Sequence, residues 1–247
     1  MYKRLIEGKK AIFFDLDGTL VDNAHLWKAA YNRVLETERG AGLFTVDDYF
    51  EMGKSTKDQW LNLKAVLKIE TPLQELMDKT YTNYLQLVKD SELAPREGFT
   101  RLMFDLKDKG LKMALVTGTK RDITSEVLAK IQVENIFDLV VCGDEVRREK
   151  PDPMIYKYAA KKLGVKPKEV LVFEDSMIGA RSAAKAGMDL AILWDGEIPR
   201  YDYPGNVVLF LGDFVALGGN LDKDLYETLK DAAQYFTDLR NNPGKVD

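Results

Sequence analysis

The sequence has almost no cysteine or histidine. Its 247 residues include one cysteine, Cys142, so no disulfide can form within the chain and a reducing compartment is expected. We predict that Cys142 fills the apolar core. The single histidine, His25, has no second histidine to act with, and we predict a structural role for it.

Long apolar runs and a surplus of basic residues are also absent. The basic start MYKRLIEGKK is followed by only four apolar residues before Asp15, too few for a signal peptide or a membrane span. The net charge is −4, from 36 basic and 40 acidic residues, whereas nucleic-acid-binding proteins carry a basic excess. We therefore expect a cytoplasmic protein that has neither a membrane nor a nucleic acid as a partner.

The residues that are present predict an α/β fold. Hydrophobic residues make up 45% and charged residues 31%, the balance of an ordinary globular protein. Short apolar runs bounded by turn residues predict buried strands, and because helical segments alternate with them we expect a Rossmann-like parallel sheet covered on both faces. The predicted strands are 11–14, 112–117, 139–142, 169–174 and 190–194, with a weaker one at 207–211, and the predicted helices are 99–109, 122–132, 153–163, 177–186 and 222–240.

Residues 24–90 interrupt this alternation. They contain no convincing strand and have the pattern of successive helices, the third with Pro72 just inside its start. We interpret 24–90 as an all-helical domain inserted into an α/β core domain formed by 1–23 and 91–247. The chain is expected to return to the core near Pro95 to Gly98.

Each of four predicted strands is followed by polar residues. In a parallel sheet the carboxyl ends of the strands lie along one edge, where ligands bind, so these residues are expected to converge. They are Asp15 and Asp17, then Thr117, Gly118 and Thr119, then Lys150, and finally Glu174 and Asp175. Asp17-Gly18 taken alone is equally typical of a turn after a strand. The expected convergence favours a functional site.

Four carboxylates cannot share such a site with a phosphate unless cations are present. Two like charges about 4 Å apart repel by roughly 4 kcal/mol at an effective dielectric constant near 20. One lysine and a hard divalent cation with oxygen ligands would offset this repulsion. Mg²⁺ is suitable, because it commonly takes one or two carboxylates together with phosphate oxygens and water.

The ordered motifs resemble those of the haloacid dehalogenase superfamily. They are DLDGT from Asp15, the strand-end Thr117, KPDP from Lys150, and EDS from Glu174 with a glycine at 179. The inserted helices resemble its small helical cap, as in relatives of phosphoglycolate phosphatase and β-phosphoglucomutase. The likeness covers nearly the whole chain to about residue 195. It implies a magnesium-dependent phosphatase that hydrolyses a small soluble phosphomonoester, a sugar phosphate or phosphoglycolate-like compound, through an aspartyl phosphate.

The resemblance implies a role for each catalytic residue. Asp15 would be the nucleophile that becomes phosphorylated, and Asp17 would be the general acid and then the general base. Thr117 and the Gly118 amide would hold phosphoryl oxygens. Lys150 would neutralise the charge that builds on the transferred group.

The same resemblance implies a Mg²⁺ site and contacts to the substrate. Asp15 and Asp175 would bind the ion through their carboxylates and Asp17 through its backbone carbonyl, with Glu174 as a ligand or as a partner of the ligands. The loop before Ser55 resembles the cap loop that reaches the active site, although Ser55-x-x-Asp58 is also an ordinary helix start. The residues expected to contact substrate are Leu16, Gly53, Lys54, Ser55, Thr117 and Gly118.

Two departures from the mutase members of the superfamily favour hydrolysis over isomerisation. Trp27 stands where those members carry a histidine, and Met52 where they carry a lysine. A β-phosphoglucomutase-like isomerase is the alternative. A non-enzymatic phosphoryl-accepting module is a third, but such a module has no use for an acid–base at Asp17. Otherwise Trp27 and Trp60 are expected in the apolar core, and Lys120-Arg121 on a solvent-exposed face.

Overall fold

The computed structural model describes residues 2–217 except 41, 43, 48 and 52, and within these residues the fold is α/β. The six described strands form one parallel sheet in the order β3-β2-β1-β4-β5-β6. This confirms the predicted Rossmann-like sheet, including its weaker sixth strand. The strands are β1 Ala11–Phe14, β2 Lys112–Val116, β3 Leu139–Val141, β4 Val170–Glu174, β5 Asp189–Leu193 and β6 Val207–Leu211.

Helices surround the sheet and form the insert after its first strand. Those after residue 98 agree with the predicted helices to within two residues at either end. The first helix was not predicted from the sequence. In chain order the described helices are α1 Tyr2–Leu5, α2 Ala24–Arg39, α3 Thr56–Leu67, α4 Leu73–Asp90, α5 Phe99–Asp108, α6 Arg121–Lys130, α7 Met154–Leu163 and α8 Met177–Ala186.

Strand β1 lies inside the sheet and is buried on both faces. Its side chains alternate, so that Ile12 and Phe14 enter one apolar core together with residues of α5 and α6. Phe13 enters the other core with residues of α7 and α8. Phe14 stacks on Phe173 of β4, with ring centroids 5.1 Å apart. Burying one such side chain contributes roughly 1.5–3 kcal/mol, so these strands firmly position the polar residues that follow them.

The helical insert, residues 24–90, contains α2, α3 and α4. Helices α2 and α4 pack against each other, and Trp60 of α3 is fully buried with its indole N–H donating to the Thr80 hydroxyl at 2.8 Å. The Ser55 hydroxyl caps α3 by accepting a hydrogen bond from the Asp58 N–H at 3.2 Å, as the helix-start pattern predicts. Pro72 is the N-cap of α4 and precedes the helix, a small correction to its predicted place inside it.

The two segments that connect the insert to the sheet run side by side. Val21, on the way out, forms an isolated bridge with Pro95, on the way back. The backbone N–H of Arg96 donates to the Leu20 carbonyl at 2.8 Å, and its side chain donates to the Gly18 carbonyl at 2.9 Å. The segments that leave and re-enter the sheet region are therefore bonded to each other at Val21 and Pro95.

Two further predictions concern helices. No helix among residues 2–217, as far as these are described, is long and apolar enough to cross a membrane. The amphipathic helix predicted at 222–240 lies outside the described residues.

Candidate active site

Lys150 joins two buried carboxylates at the carboxyl edge of the sheet. Its Nζ lies 2.7 Å from Oδ1 of Asp15, which follows β1, and 2.7 Å from Oε1 of Glu174, which ends β4. It also donates to the backbone carbonyl of Val116 in β2 at 3.1 Å. Asp15, Lys150 and Glu174 are each less than 10% exposed, at 7%, 8% and 0%. Residues that follow separate strands thus come together, as the parallel arrangement predicts.

Burial determines the protonation of this group. It raises the pKa of Asp15 from 3.8 to about 7, an effect that Lys150 opposes and Glu174 strengthens. Burial also raises the pKa of Asp175 well above its usual range, and the charges of Glu174 and Asp15 add to this. For Lys150 burial acts the other way, but Asp15 and Glu174 outweigh it and hold its pKa above the usual range. One lysine does not offset three carboxylates, and the site favours a further cation.

The carboxylates are placed to hold a metal ion. Asp15, Glu174 and Asp175 each offer an oxygen, and these oxygens lie within 4.8 Å of one another. The Thr19 hydroxyl orients Asp175 by donating to its Oδ1 at 2.9 Å. A Cβ on Gly18 would lie 2.1 Å from Oδ2 of Asp175, so glycine, with φ at +82°, is required there. An all-oxygen donor set with uncompensated negative charge fits Mg²⁺.

Glu174 has both of its oxygens engaged by hydrogen-bond donors. Oε1 accepts from Lys150 and from the Tyr156 hydroxyl, each at 2.7 Å, and Oε2 accepts from the Ser176 hydroxyl at 3.1 Å. Gly179 leaves space for the carboxylate, because a Cβ there would lie 1.9 Å from Oε1. Of the two roles predicted for Glu174, this arrangement favours a partner that positions Lys150.

The remaining phosphate contacts predicted from the sequence differ in exposure. Thr117 is buried, and its hydroxyl accepts a hydrogen bond from the Thr119 N–H at 3.1 Å. Gly118 is exposed, with no atom within 4 Å of where its Cβ would be. The Leu16 side chain is fully buried in the apolar core. A contact between Leu16 and substrate would therefore use its main chain, and it stays a prediction.

Asp17 directs its carboxylate toward the helical insert. Oδ1 accepts hydrogen bonds from Asn23 Nδ2 at 2.6 Å and from Trp27 Nε1 at 2.9 Å, and Oδ2 accepts from the Thr119 hydroxyl at 2.5 Å. The side chain does not belong to the group of three carboxylates described above. The predicted metal contact of Asp17 through its carbonyl stays a prediction.

These contacts to Asp17 were missed in the sequence. Trp27 is buried, as predicted, but it is more than a core residue, because its indole reaches a proposed catalytic carboxylate. Its place at the mutase histidine position was the signal that could have shown this. Thr119 carries a weaker signal, its position two residues beyond the strand-end Thr117. Nothing in the sequence indicates that Asn23 contacts Asp17.

A chamber of about 210 Å³ lies between the sheet edge and the insert. Asp15, Asp17, Thr117 and Lys150 form its floor. The insert contributes aromatic and apolar walls as well as the predicted cap-loop residues. These wall residues are Trp27, Tyr31, Phe50, Gly53, Lys54, Ser55, Met77 and Tyr81.

Two lysines in the chamber lining have different surroundings. Lys54 forms an ion pair with Glu51 at 2.8 Å. Lys120 places its Nζ 4.2 Å from the centre of the Tyr81 ring, which corrects its predicted position on a solvent-exposed face. Its neighbour Arg121 donates to the Val140 carbonyl at 2.6 Å and does not line the chamber. Met52 lies outside the described residues.

Comparisons with known proteins identify the family of this chain. A profile of haloacid dehalogenase-like hydrolases matches residues 12–193. The chain is 32% identical over 181 residues to the phosphorylated carbohydrates phosphatase of Thermotoga maritima, an alignment that covers 73% of this chain and 82% of that protein. It is 28% identical over 225 residues to protein CbbY of Cereibacter sphaeroides, covering 87% and 97% of the two chains.

A solved structure shows the same architecture. The crystal structure of CbbY from Rhodobacter sphaeroides in complex with phosphate matches with a TM-score of 0.76 and 25% identity, covering 86% of this chain and 97% of that one. The chain is thus an enzyme of the hydrolase type, with phosphatases among its named relatives. From its motifs, its fold and these matches, the chain belongs to the family of haloacid dehalogenase-like hydrolases.

Proposed function

We propose that the protein is a magnesium-dependent phosphatase that hydrolyses a small soluble phosphomonoester through an aspartyl phosphate. The observation that carries this proposal is the pair of Asp15 and Lys150, buried on the floor of a small chamber, with the Asp175 carboxylate beside them. It combines a carboxylate nucleophile, a cation at 2.7 Å and a place for a second cation. Phosphoryl transfer requires little more, because positioning and charge stabilisation supply most of its catalysis.

In the first step an oxygen of Asp15 attacks phosphorus, and the bond from phosphorus to the ester oxygen breaks. Asp17 donates its proton to the leaving oxygen, so the product leaves as an alcohol. Thr117 and the Gly118 N–H bind oxygens of the transferred group, and the Lys150 ammonium stabilises its charge. In the second step a water attacks phosphorus and gives a proton to Asp17. The bond to Asp15 then breaks, and inorganic phosphate is released.

In this proposal Asp15, Asp175 and the Asp17 carbonyl would hold Mg²⁺. When bound, it would screen the negative charges of the carboxylates and the phosphate from one another. Glu174 holds the ammonium of Lys150 at 2.7 Å, which keeps that cation beside Asp15. Thr19 holds Asp175 in its orientation.

The chamber supports a small, phosphorylated carbohydrate-like substrate. Its volume of about 210 Å³ is below the roughly 300–1,000 Å³ typical of sites for drug-sized ligands. Trp27, Tyr31 and Tyr81 line the chamber and offer apolar surface to the C–H groups of a sugar, and Lys120 offers a cation to a second polar or acidic group. One relative is named for phosphorylated carbohydrates and another for phosphoglycolate. The insert, residues 24–90, would act as a cap domain on a core of 1–23 and 91–247.

The isomerase alternative is kept because of one contact. A tryptophan in place of the mutase histidine at position 27 favours hydrolysis only if it leaves the insert without a link to the acid–base residue. Trp27 nevertheless donates a hydrogen bond to Asp17 at 2.9 Å, so a link exists without histidine. The non-enzymatic module is not kept, because the family is one of enzymes.

A phosphate-release screen over sugar phosphates and short-chain phosphomonoesters, with Mg²⁺ present, tests the proposal. Glucose 6-phosphate formation from β-glucose 1-phosphate, with the bisphosphate activator, is measured beside it. We expect phosphate release from several esters and negligible isomerisation, with both lost in Asp15→Asn. Isomerisation clearly faster than hydrolysis would place the mutase alternative first.

A further inference from the structure

The two carboxylate oxygens of Asp17 have different sets of hydrogen-bond partners. Around Oδ1 lie the amide nitrogen of Asn23 at 2.6 Å and the indole nitrogen of Trp27 at 2.9 Å. Both groups can only donate a proton. The Tyr84 hydroxyl also donates to Oδ1 over a longer distance, 3.5 Å, and itself accepts from Asn23 Nδ2 at 2.6 Å. Around Oδ2 lies the hydroxyl of Thr119 at 2.5 Å, and a hydroxyl can either donate or accept. The two oxygens are therefore not equivalent.

This difference decides where a proton can reside. A proton on Oδ1 would face the N–H groups of Asn23 and Trp27 at 2.6 and 2.9 Å. The Tyr84 hydroxyl is farther from Oδ1, at 3.5 Å, and already accepts from Asn23, so it is a poor acceptor for that proton. A proton on Oδ2 can be shared with Thr119 once that hydroxyl rotates to accept it. The surroundings of Asp17 thus place the proton of its acid form on Oδ2.

The indole of Trp27 is held in the orientation that makes this contact. Its ring stacks on Tyr84 of α4, with centroids 3.7 Å apart and planes 12° from parallel. Tyr84 is fully buried and Trp27 is 7% exposed. The Tyr81 ring packs edge-on against Trp27 at 6.3 Å. Because aromatic neighbours fix the ring plane, the N–H direction is fixed by the packing of the insert.

We propose that Trp27 is a positioning residue for the acid–base Asp17, one that reserves Oδ1 as an acceptor and keeps the transferable proton on Oδ2. The inference rests on the proposed phosphatase function. In the first step the bond from phosphorus to the ester oxygen breaks and the proton moves from Oδ2 to that oxygen. The carboxylate that remains is stabilised by a charge-assisted hydrogen bond from the indole. Trp27 itself neither gains nor loses a proton.

The test compares leaving groups in Trp27→Phe, which keeps an aromatic ring and removes the N–H. Alkyl phosphates need a proton on the leaving oxygen, whereas aryl phosphates need little. We expect kcat for an alkyl phosphate to fall about tenfold, the worth of one charge-assisted hydrogen bond, and kcat for an aryl phosphate to fall less than about twofold. Trp27→His, whose ring N–H can donate, is expected to recover part of the alkyl rate.

Trp60→Phe is the matched control. Trp60 is a second buried tryptophan of the same insert, and its indole donates to Thr80 at 2.8 Å, away from Asp17. Its replacement should lower stability without changing the alkyl-to-aryl rate ratio. Equal ratio changes in Trp27→Phe and Trp60→Phe, or equal losses on both leaving groups, would overturn the inference. In an Asp17→Asn background, Trp27→Phe should leave the ratio unchanged.

A spectroscopic measurement separates this inference from the proposed function. The chain has three tryptophans, so a variant carrying Trp60→Phe and Trp194→Phe reports the emission of Trp27 alone. Adding Asp17→Asn to it should shift that emission, because the indole loses a charged acceptor. An unchanged emission overturns the inference even in an active enzyme. A shifted emission, together with a wild-type protein that hydrolyses none of the esters, supports the contact and contradicts the phosphatase function.

Discussion

Gly53 of the helical insert lies against Ser176 of the core so closely that a Cβ on Gly53 would sit 2.4 Å from the Ser176 hydroxyl oxygen. Ser176 caps α8 by accepting from the Gly179 N–H at 3.0 Å, and its hydroxyl also donates to Glu174. The loop before α3 therefore touches the residue that follows Asp175. No larger residue fits there unless the loop or the Ser176 side chain shifts.

Gly53→Ala is expected to lower kcat/KM for phosphomonoesters by about tenfold or more, because the loop can no longer lie against Ser176 and complete the chamber. Gly42→Ala is the control, since Gly42 has a similar positive φ, +72° against +80°, and open space at its Cβ position. Both variants should lose about 1 kcal/mol of unfolding free energy from backbone strain. Equal kcat/KM values in the two variants would contradict a role for the contact.

Asp17→Asn is expected to separate proton transfer from nucleophilic attack. The amide cannot supply the proton that an alkyl leaving group needs, so phosphate release from a sugar phosphate should fall by roughly 10²–10⁴-fold. Release of an aryl alcohol, and with it phosphorylation of Asp15, should be much less affected. A rapid-quench measurement of both substrates checks this. Losses of similar size on both would count against Asp17 as the acid.

Chelation of Mg²⁺ should abolish phosphate release, and its return should restore it, because uncompensated carboxylates repel a phosphate. The thermal stabilisation that Mg²⁺ confers should be lost in Asp175→Asn, whose carboxylate belongs to the acidic group. It should persist in Asp17→Asn, because the Asp17 side chain is bonded to Trp27 and Thr119 instead. Full activity in excess chelator, or equal loss of stabilisation in both variants, is the contrary result.

Without Mg²⁺ the protein should become less stable as the pH rises from about 4 to about 7. The pKa of Asp15 is raised from 3.8 to about 7, so in this window the folded state binds more protons than the unfolded state. The contribution of Asp15 to stability is largest below the pKa that its carboxyl has in the unfolded state. It is lost as the pH rises through the pKa of the folded state, and the unfolding free energy falls by on the order of 3 kcal/mol.

Asp15→Asn is the control for this pH dependence. The free energy of unfolding of both proteins is measured with urea, in the presence of chelator, between pH 4 and 8. As the pH rises, Asp15→Asn should become more stable relative to the wild type. Mg²⁺ should restore the wild type at pH 8 and have little effect at pH 4. Parallel pH profiles of the two proteins would refute the assignment of this titration to Asp15.

The sheet could be predicted because its strands are short apolar runs with turn residues at both ends. The convergence of Asp15, Lys150 and Glu174 followed from parallel strands alone, since carboxyl ends must share an edge. The contacts of Asp17 could not be predicted in this way. They depend on how α2 and α4 pack within the insert, where Trp27 stacks on Tyr84, 57 positions away in the chain.

The position of Lys120 shows the same limit. Beside Arg121 it looks like one of two surface charges, and Arg121 indeed bonds to Glu145 at the surface. Only the approach of Tyr81 from the insert turns Lys120 into part of the chamber lining. The local pattern of apolar and polar residues predicts each helix and strand. The lining of the chamber, in contrast, depends on contacts between segments that are distant in the sequence.

The paired connections at Val21 and Pro95 have an evolutionary consequence. The outgoing and returning segments bridge each other directly. The insert therefore leaves the core and rejoins it at neighbouring positions, like a branch with a single point of attachment. Such a branch can be lengthened, shortened or exchanged for another while β1 and its aspartates keep their places. Recombination at this junction would replace the residues that line the chamber and leave the residues for phosphoryl transfer unchanged. Chimaeric enzymes could therefore be built by joining a different insert at these two positions.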